Sequence, residues 1–203
     1  MKKSYLPLII LILICVIAVF VLFACDGDDG QTPILPVDDD SEFEVFVDKT
    51  ALAETLVTYR GTMLGDSNVV KRMLREVLPG GDNMYMFDIT LNRLTVQYDV
   101  TERSGMTAET FKEAWTLNNT QQILLYNTLS LFAVLEQLDS VQFQVLGFEL
   151  PTLTVSRDAV KGILGFDPAY VEDADQWLRL IQGSCDDNIT RGTFFANHPI
   201  VQK

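Results

Sequence analysis

The sequence predicts an α+β fold: a small antiparallel sheet of three to four strands covered by helices, preceded by an N-terminal membrane segment and a linker. Three observations carry this expectation. Apolar residues recur at helical and strand periods in the irregular order ααββααβ(β)αα, which is not the strict alternation of a parallel α/β fold. The composition turns globular at Asp48, and the roughly 155 residues that follow suffice for one core. Ahead of them, Met1-Lys2-Lys3 precedes an uncharged apolar run from Tyr5 to Ala24.

That run sets the address. Twenty helical residues span about 30 Å, the thickness of a bilayer's hydrocarbon core. The two lysines keep the N-terminus inside, so the rest is expected on the extracytoplasmic side of a cell membrane. Leu22-Phe23-Ala24-Cys25 resembles a bacterial lipobox, which makes Cys25 the candidate lipidation site of a lipoprotein cleaved after its signal peptide. The apolar run exceeds an ordinary cleaved signal, so an uncleaved transmembrane helix is the alternative. Either way the domain is tethered through its N-terminus, the membrane being its one expected fixed partner.

Four regions follow: a signal or anchor segment 1–25, an acidic flexible linker 26–47, a globular domain 48–183 and a C-terminal tail 184–203. The formal net charge is −13, and nine acids with no base lie within residues 26–48. Such a stretch repels itself and extends. Its spacing lacks the alternating ligands of a calcium loop. An acidic chain without a basic patch excludes nucleic acid as a partner class. The three cysteines are Cys15 in the apolar run, Cys25 and Cys185, and the one histidine is His198. No disulfide framework or clustered zinc site is expected, and no cofactor.

Within the domain, Asp48 caps a first helix from Lys49 to about Tyr59. A second opens at Asp66 or Ser67 and is stopped by Pro79-Gly80-Gly81. Met84–Thr90 and Leu94–Val100 read as a hairpin around Leu91-Asn92-Arg93. Thr110 and Glu113 form an expected capping box. A long helix covers Thr120 to Leu138, with Asn127 on its apolar face. Val141–Leu146 and Leu153–Val155 are further strands. Ser156 caps a helix ending at Gly165, and Asp167-Pro168 opens the last, which Gly183 terminates.

The candidate binding loop comprises Tyr59, Arg60, Gly61, Gly65, Asp66, Ser67 and Asn68. It is polar, bears glycines and opens a helix whose free N–H groups suit an anion or peptide carboxylate beside Arg60. The plainer reading has Asp66 or Ser67 as cap and the glycines as turn formers. Asn127 is a structural polar residue expected to hydrogen-bond the backbone of the 61–66 loop. No nucleophilic constellation is present: no Gly-x-Ser-x-Gly turn, no Ser-x-x-Lys and no histidine outside the tail. Glu136 with Asp139 is an example of a carboxylate pair that could serve a hydrolase, but the favoured reading is a charged helix end facing solvent.

Tyr59-Arg60-Gly61 through Gly65-Asp66-Ser67-Asn68-Val69, Leu125-Tyr126-Asn127 through Asp139, and Arg157 through Gly165 with Trp177 together resemble the bacterial domain-of-unknown-function family 4825. The likeness spans about residues 50 to 182. It implies an envelope lipoprotein or the extracytoplasmic part of a membrane protein, and no established activity. The expected function is therefore a non-enzymatic sensing or interaction module at the bacterial cell envelope, taking an envelope protein or small ligand. An envelope hydrolase or hydrolase inhibitor using acidic residues is the alternative.

Overall fold

A computed structural model describes residues 48–203. The apolar run, Cys25 and the acidic linker lie outside the described residues. Among those described, no helix is long and apolar enough to cross a membrane.

Asp48 caps α1 (Lys49–Val57), its carboxylate accepting from the N–H groups of Thr50 and Ala51. Helix α2 (Ser67–Arg72) widens into a π-helical turn, Met73–Val77. The Pro79-Gly80-Gly81 stop leads through a 3₁₀ turn (Gly81–Asn83) into β1 (Met84–Thr90) and β2 (Arg93–Tyr98). Thr107, one turn earlier than expected, caps α3 (Ala108–Ala114). The reciprocal box is Thr107 with Thr110, not Thr110 with Glu113, because Thr110 sits at the third helical position and returns its hydroxyl to the Thr107 N–H. Thr116 then caps the long helix α4 (Leu117–Val134), which begins and ends earlier than the Thr120–Leu138 pattern suggests.

Strands β3 (Ser140–Val145) and β4 (Leu153–Ser156) complete a sheet of order β1-β2-β3-β4. The expected antiparallel sheet is in fact mixed: β1/β2 and β3/β4 are antiparallel, while β2 and β3 run parallel from Arg93↔Ser140 to Tyr98↔Val145. The reason is the connection. Residues 99–139 carry α3 and α4 from one end of the sheet back to the other, the crossover that a parallel pair requires.

One face of the sheet is apolar, with Leu94, Val96, Tyr98, Val141, Phe143 and Val145 fully buried. Against it lies α4, buried on all sides from Asn119 to Val134 apart from Gln121 and Gln122. An all-round buried helix is a core element, not an amphipathic surface one. Its neighbours Tyr126 and Asn127 reach opposite layers. Asn127 meets the sheet residue Tyr98, and the Tyr126 hydroxyl accepts from the indole N–H of Trp177 at 3.2 Å in the C-terminal helices.

Ser156 caps α5 (Arg157–Leu164), and Gly165 closes it at φ +76°, as expected. After a 3₁₀ turn (Pro168–Tyr170) the chain breaks, and Asp173 caps a new helix, α6 (Ala174–Gln176), which widens into a π-helical turn (Trp177–Gln182). Gly183 does not terminate it. With an ordinary φ of −57°, Gly183 carries the helix on as α7 (Gly183–Asp186).

Nor is the segment from Ser184 a loose tail. Asp187 caps α8 (Asn188–Asn197), which buries Phe194 and Phe195 against each other edge to face. Beyond it, Val201 and Lys203 bond the backbone of Glu149 and Gly147. Burial pushes the Cys185 thiol of α7 well up from its ordinary pKa, so it stays protonated and inert.

Candidate functional site

The 59–68 loop joins α1 to α2. Gly61, at φ +73°, supplies the left-handed turn, whereas Gly65 has an ordinary φ and open space around it. Neither Asp66 nor Ser67 caps with its side chain; the Asp66 carbonyl accepts the Val69 and Val70 N–H groups instead. Arg60 is committed to the fold, donating to the carbonyls of Ala169 and Glu172 at 3.2 and 3.4 Å. Tyr59 packs on the core, while Asp66, Ser67 and Asn68 are exposed. The helix the loop opens is regular for only six residues.

Asn127 is buried as expected, yet its partners differ. Its amide donates to the Pro79 carbonyl and to the Tyr98 hydroxyl, both at 2.9 Å, and not to the 61–66 backbone. That loop is drawn toward residues 169–172 by Arg60, leaving the Pro79 turn as the backbone above Asn127. Asn127→Leu is expected to lower unfolding free energy by about 2–4 kcal/mol, because a buried carbonyl and a buried hydroxyl both lose a donor. Chemical denaturation measures this, and stability equal to wild type would remove the role.

Above that turn opens a cleft of about 610 Å³. Three stretches distant in sequence build it. The π-helical turn contributes Arg75 and Glu76, the glycine turn contributes Gly80 and Asp82, and α3 contributes Trp115 at its C-terminal cap. A π-helical turn widens the helix and re-aims its side chains, and such turns often mark functional positions.

The floor is fixed by polar and aromatic contacts. The Trp115 indole N–H donates to Asn83 Oδ1 at 3.3 Å, and Asn83 in turn donates to the Asp99 carbonyl. The Trp115 ring stacks on Phe111 at 5.4 Å and tilts against Tyr98 at 4.8 Å between centroids. Burial pushes the Tyr98 hydroxyl far above its ordinary pKa, against the opposing hydrogen bond from Asn127, so it remains a neutral member of this network.

The walls carry charge of both signs. Arg103 pairs with Asp82 at 2.7 Å, and Asp48 is engaged as the cap of α1. The Arg75 side chain has neither an ion pair nor a hydrogen bond among the described residues, and its Nε–H is buried. Glu76 is exposed at the rim, with no ion pair among the described residues. Leu52, Met106 and Ile123 add apolar lining.

Of Glu136 and Asp139, the second is engaged in the fold. The Asp139 carboxylate accepts from Asn92 at 2.9 Å and its carbonyl accepts the Arg157 N–H, clamping the hairpin to the end of α4. Among the described residues no three His, Cys, Asp or Glu side chains gather as metal ligands.

Sequence reasoning found Asn127 but missed the cleft it supports. The available signal was Pro79-Gly80-Gly81 followed at once by Asp82-Asn83, two glycines where one ends a helix. Comparison with protein-family models, with curated proteins and with solved structures yields no match.

Proposed function

We propose that this chain is a membrane-tethered extracytoplasmic binding module of the bacterial cell envelope, related to the 4825 family, non-enzymatic, with the cleft beside Gly80 as its binding site in place of the 59–68 loop. The cleft carries the reading. Its volume falls in the range of small-ligand sites, its floor is held by side-chain hydrogen bonds, and its wall offers a cation with no side-chain partner among the described residues. The hydrolase alternative fits less well. Two of the three carboxylates lining the cleft are already engaged, Asp82 by Arg103 and Asp48 by the α1 backbone, leaving Glu76 without the second carboxylate that such chemistry uses. The carboxyls with shifted pKa among the described residues, Glu109, Asp167 and Asp187, all shift downward, opposite to the direction a general acid requires.

A ligand-observed NMR fragment screen on the full chain in detergent micelles tests the site. Hits are expected on wild type and should disappear in Ala114→Trp, whose indole fills the cleft. An absence of hits, or hits indifferent to that substitution, would remove the cleft as the site. Mass spectrometry of the mature N-terminus tests the tether separately: a lipidated Cys25 or an intact Met1 are the two anchored outcomes, and an unmodified N-terminus beyond Cys25 sinks both.

A further inference from the structure

We propose, resting on the binding reading above, that the cleft takes a short peptide or amino acid held by its free α-carboxylate, with Arg75 as the carboxylate's partner. The observation is the mismatch at Arg75. A guanidinium is charged at every physiological pH, and a buried N–H with no acceptor loses its hydration without compensation. Arg75 is half-buried on the wall of a cleft wide enough for a ligand: its Nε–H is buried without an acceptor, and its terminal nitrogens, which keep solvent access, have no partner among the described residues. A planar carboxylate suits the two terminal nitrogens, because two oxygens match the guanidinium fork with parallel, charge-assisted hydrogen bonds.

The remaining lining narrows the class. The second cation of the cleft, Arg103, is neutralised by Asp82, so a multiply charged anion would find one free positive group and would face Glu76 and Asp48 at the rim. A purely cationic ligand would leave Arg75 as it is. A zwitterion meets both signs, its carboxylate on Arg75 and its ammonium toward Glu76. The body between them packs on Leu52 and Met106, above the buried Trp115 and Ile123. Trp115 forms the floor beneath, its N–H already given to Asn83.

The test uses the full chain in detergent micelles and three forms of the tripeptide alanyl-phenylalanyl-alanine: free, C-terminally amidated and N-acetylated. Phenylpropionic acid, a carboxylate without an ammonium, separates peptides from simple organic acids. The Trp115 indole resonance reports occupancy. Amidation is expected to weaken binding about tenfold or more, the loss of one charge-assisted contact, and acetylation to weaken it less. In Arg75→Gln the free and amidated peptides should bind alike, with Arg75→Lys intermediate and thermal melting confirming that both variants fold. Phenylpropionic acid should bind more weakly than the free peptide.

Equal affinity for acid and amide in wild type overturns the proposal, as does discrimination that persists in Arg75→Gln. Phenylpropionic acid matching the free peptide overturns the zwitterion and leaves a simple carboxylate site. If fragments occupy the cleft but no peptide does, the ligand class fails while the binding reading stands; if neither binds, both fail.

Discussion

Arg157→Met is expected to cost about 3–5 kcal/mol of folding stability, the range found when one partner of a buried ion pair is removed. The side chain of Arg157 is only 10 % exposed. Its guanidinium donates to the carbonyls of Phe132, Leu135 and Leu138 at 2.7 to 2.9 Å, closing the C-terminal end of α4. It also pairs with Asp167 at 2.8 Å and lies over the Phe132 ring at 5.0 Å. Helix ends leave carbonyls without internal partners, and one planar group from a helix that follows in sequence here serves two of them, Phe132 and Leu135, with the Leu138 carbonyl of the next turn. Methionine fills the volume and serves none.

A loss of this size should lower the thermal midpoint by about 10 °C in a domain of this length. Arg157→Lys should recover only part, since a single ammonium cannot span three carbonyls and a carboxylate. A variant that melts like wild type would show that α4 closes without it.

The same cluster sets a pH dependence. Burial raises the pKa of the Asp167 carboxyl, but hydrogen bonds from Lys161, the Ala169 N–H and Arg157 outweigh it, holding the group below its ordinary value of 3.8. A depressed folded-state pKa contributes stability that is complete above about pH 4 and is lost as the pH falls through the folded value. The decline of stability below pH 4 should therefore be shallower in Arg157→Met.

The second large effect is expected at the glycine turn. A Cβ on Gly81 would collide with the carbonyl oxygen of Arg75 and lie 2.8 Å from that of Leu74, both backbone atoms that cannot rotate aside. Gly80 combines φ +78° with a Cβ position 2.9 Å from the Trp115 ring. Gly81→Ala should therefore cost about 3 kcal/mol, the upper part of the range for overpacking, and Gly80→Ala a comparable amount through backbone strain and displacement of Trp115. Gly65→Ala, with open space and an ordinary φ, should stay within about 0.5 kcal/mol and serves as the control. Urea denaturation of the three variants checks the order. Equal stability in all three would mean that the turn adapts and that the cleft floor is not fixed by glycine.

The parts of the fold legible in the sequence were those decided locally. Asp48, Ser156 and Gly165 bound their helices through contacts a few residues away, and the β1/β2 hairpin shows its strand period and turn residues side by side. What escaped depends on partners far along the chain. Parallel pairing of β2 with β3 follows from a crossover whose path no short window contains. Phe194 and Phe195 form too short an apolar pattern to betray that α8 packs on the core.

The site divides the same way. Asn127 was visible as an amide in an apolar stripe, but its acceptor was not, because Pro79 is brought over it by packing alone. Arg60 read as a free cation for want of any sign that Ala169 and Glu172 would turn their carbonyls toward it. Nothing local in the sequence marks Arg75; only the π-helical turn and the glycine turn place it on a cleft wall.

Helix α4, shielded by the sheet on one side and the C-terminal helices on the other, has a consequence for hydrogen exchange. Its central amides have no local route to solvent, since fraying at Thr116 or Leu135 stops short of Leu124–Leu131, so their protons should exchange only when the whole domain opens. The slowest amides of this one segment thus serve as an internal gauge of global stability, and any ligand that stabilises the folded domain should slow all of them by the same factor.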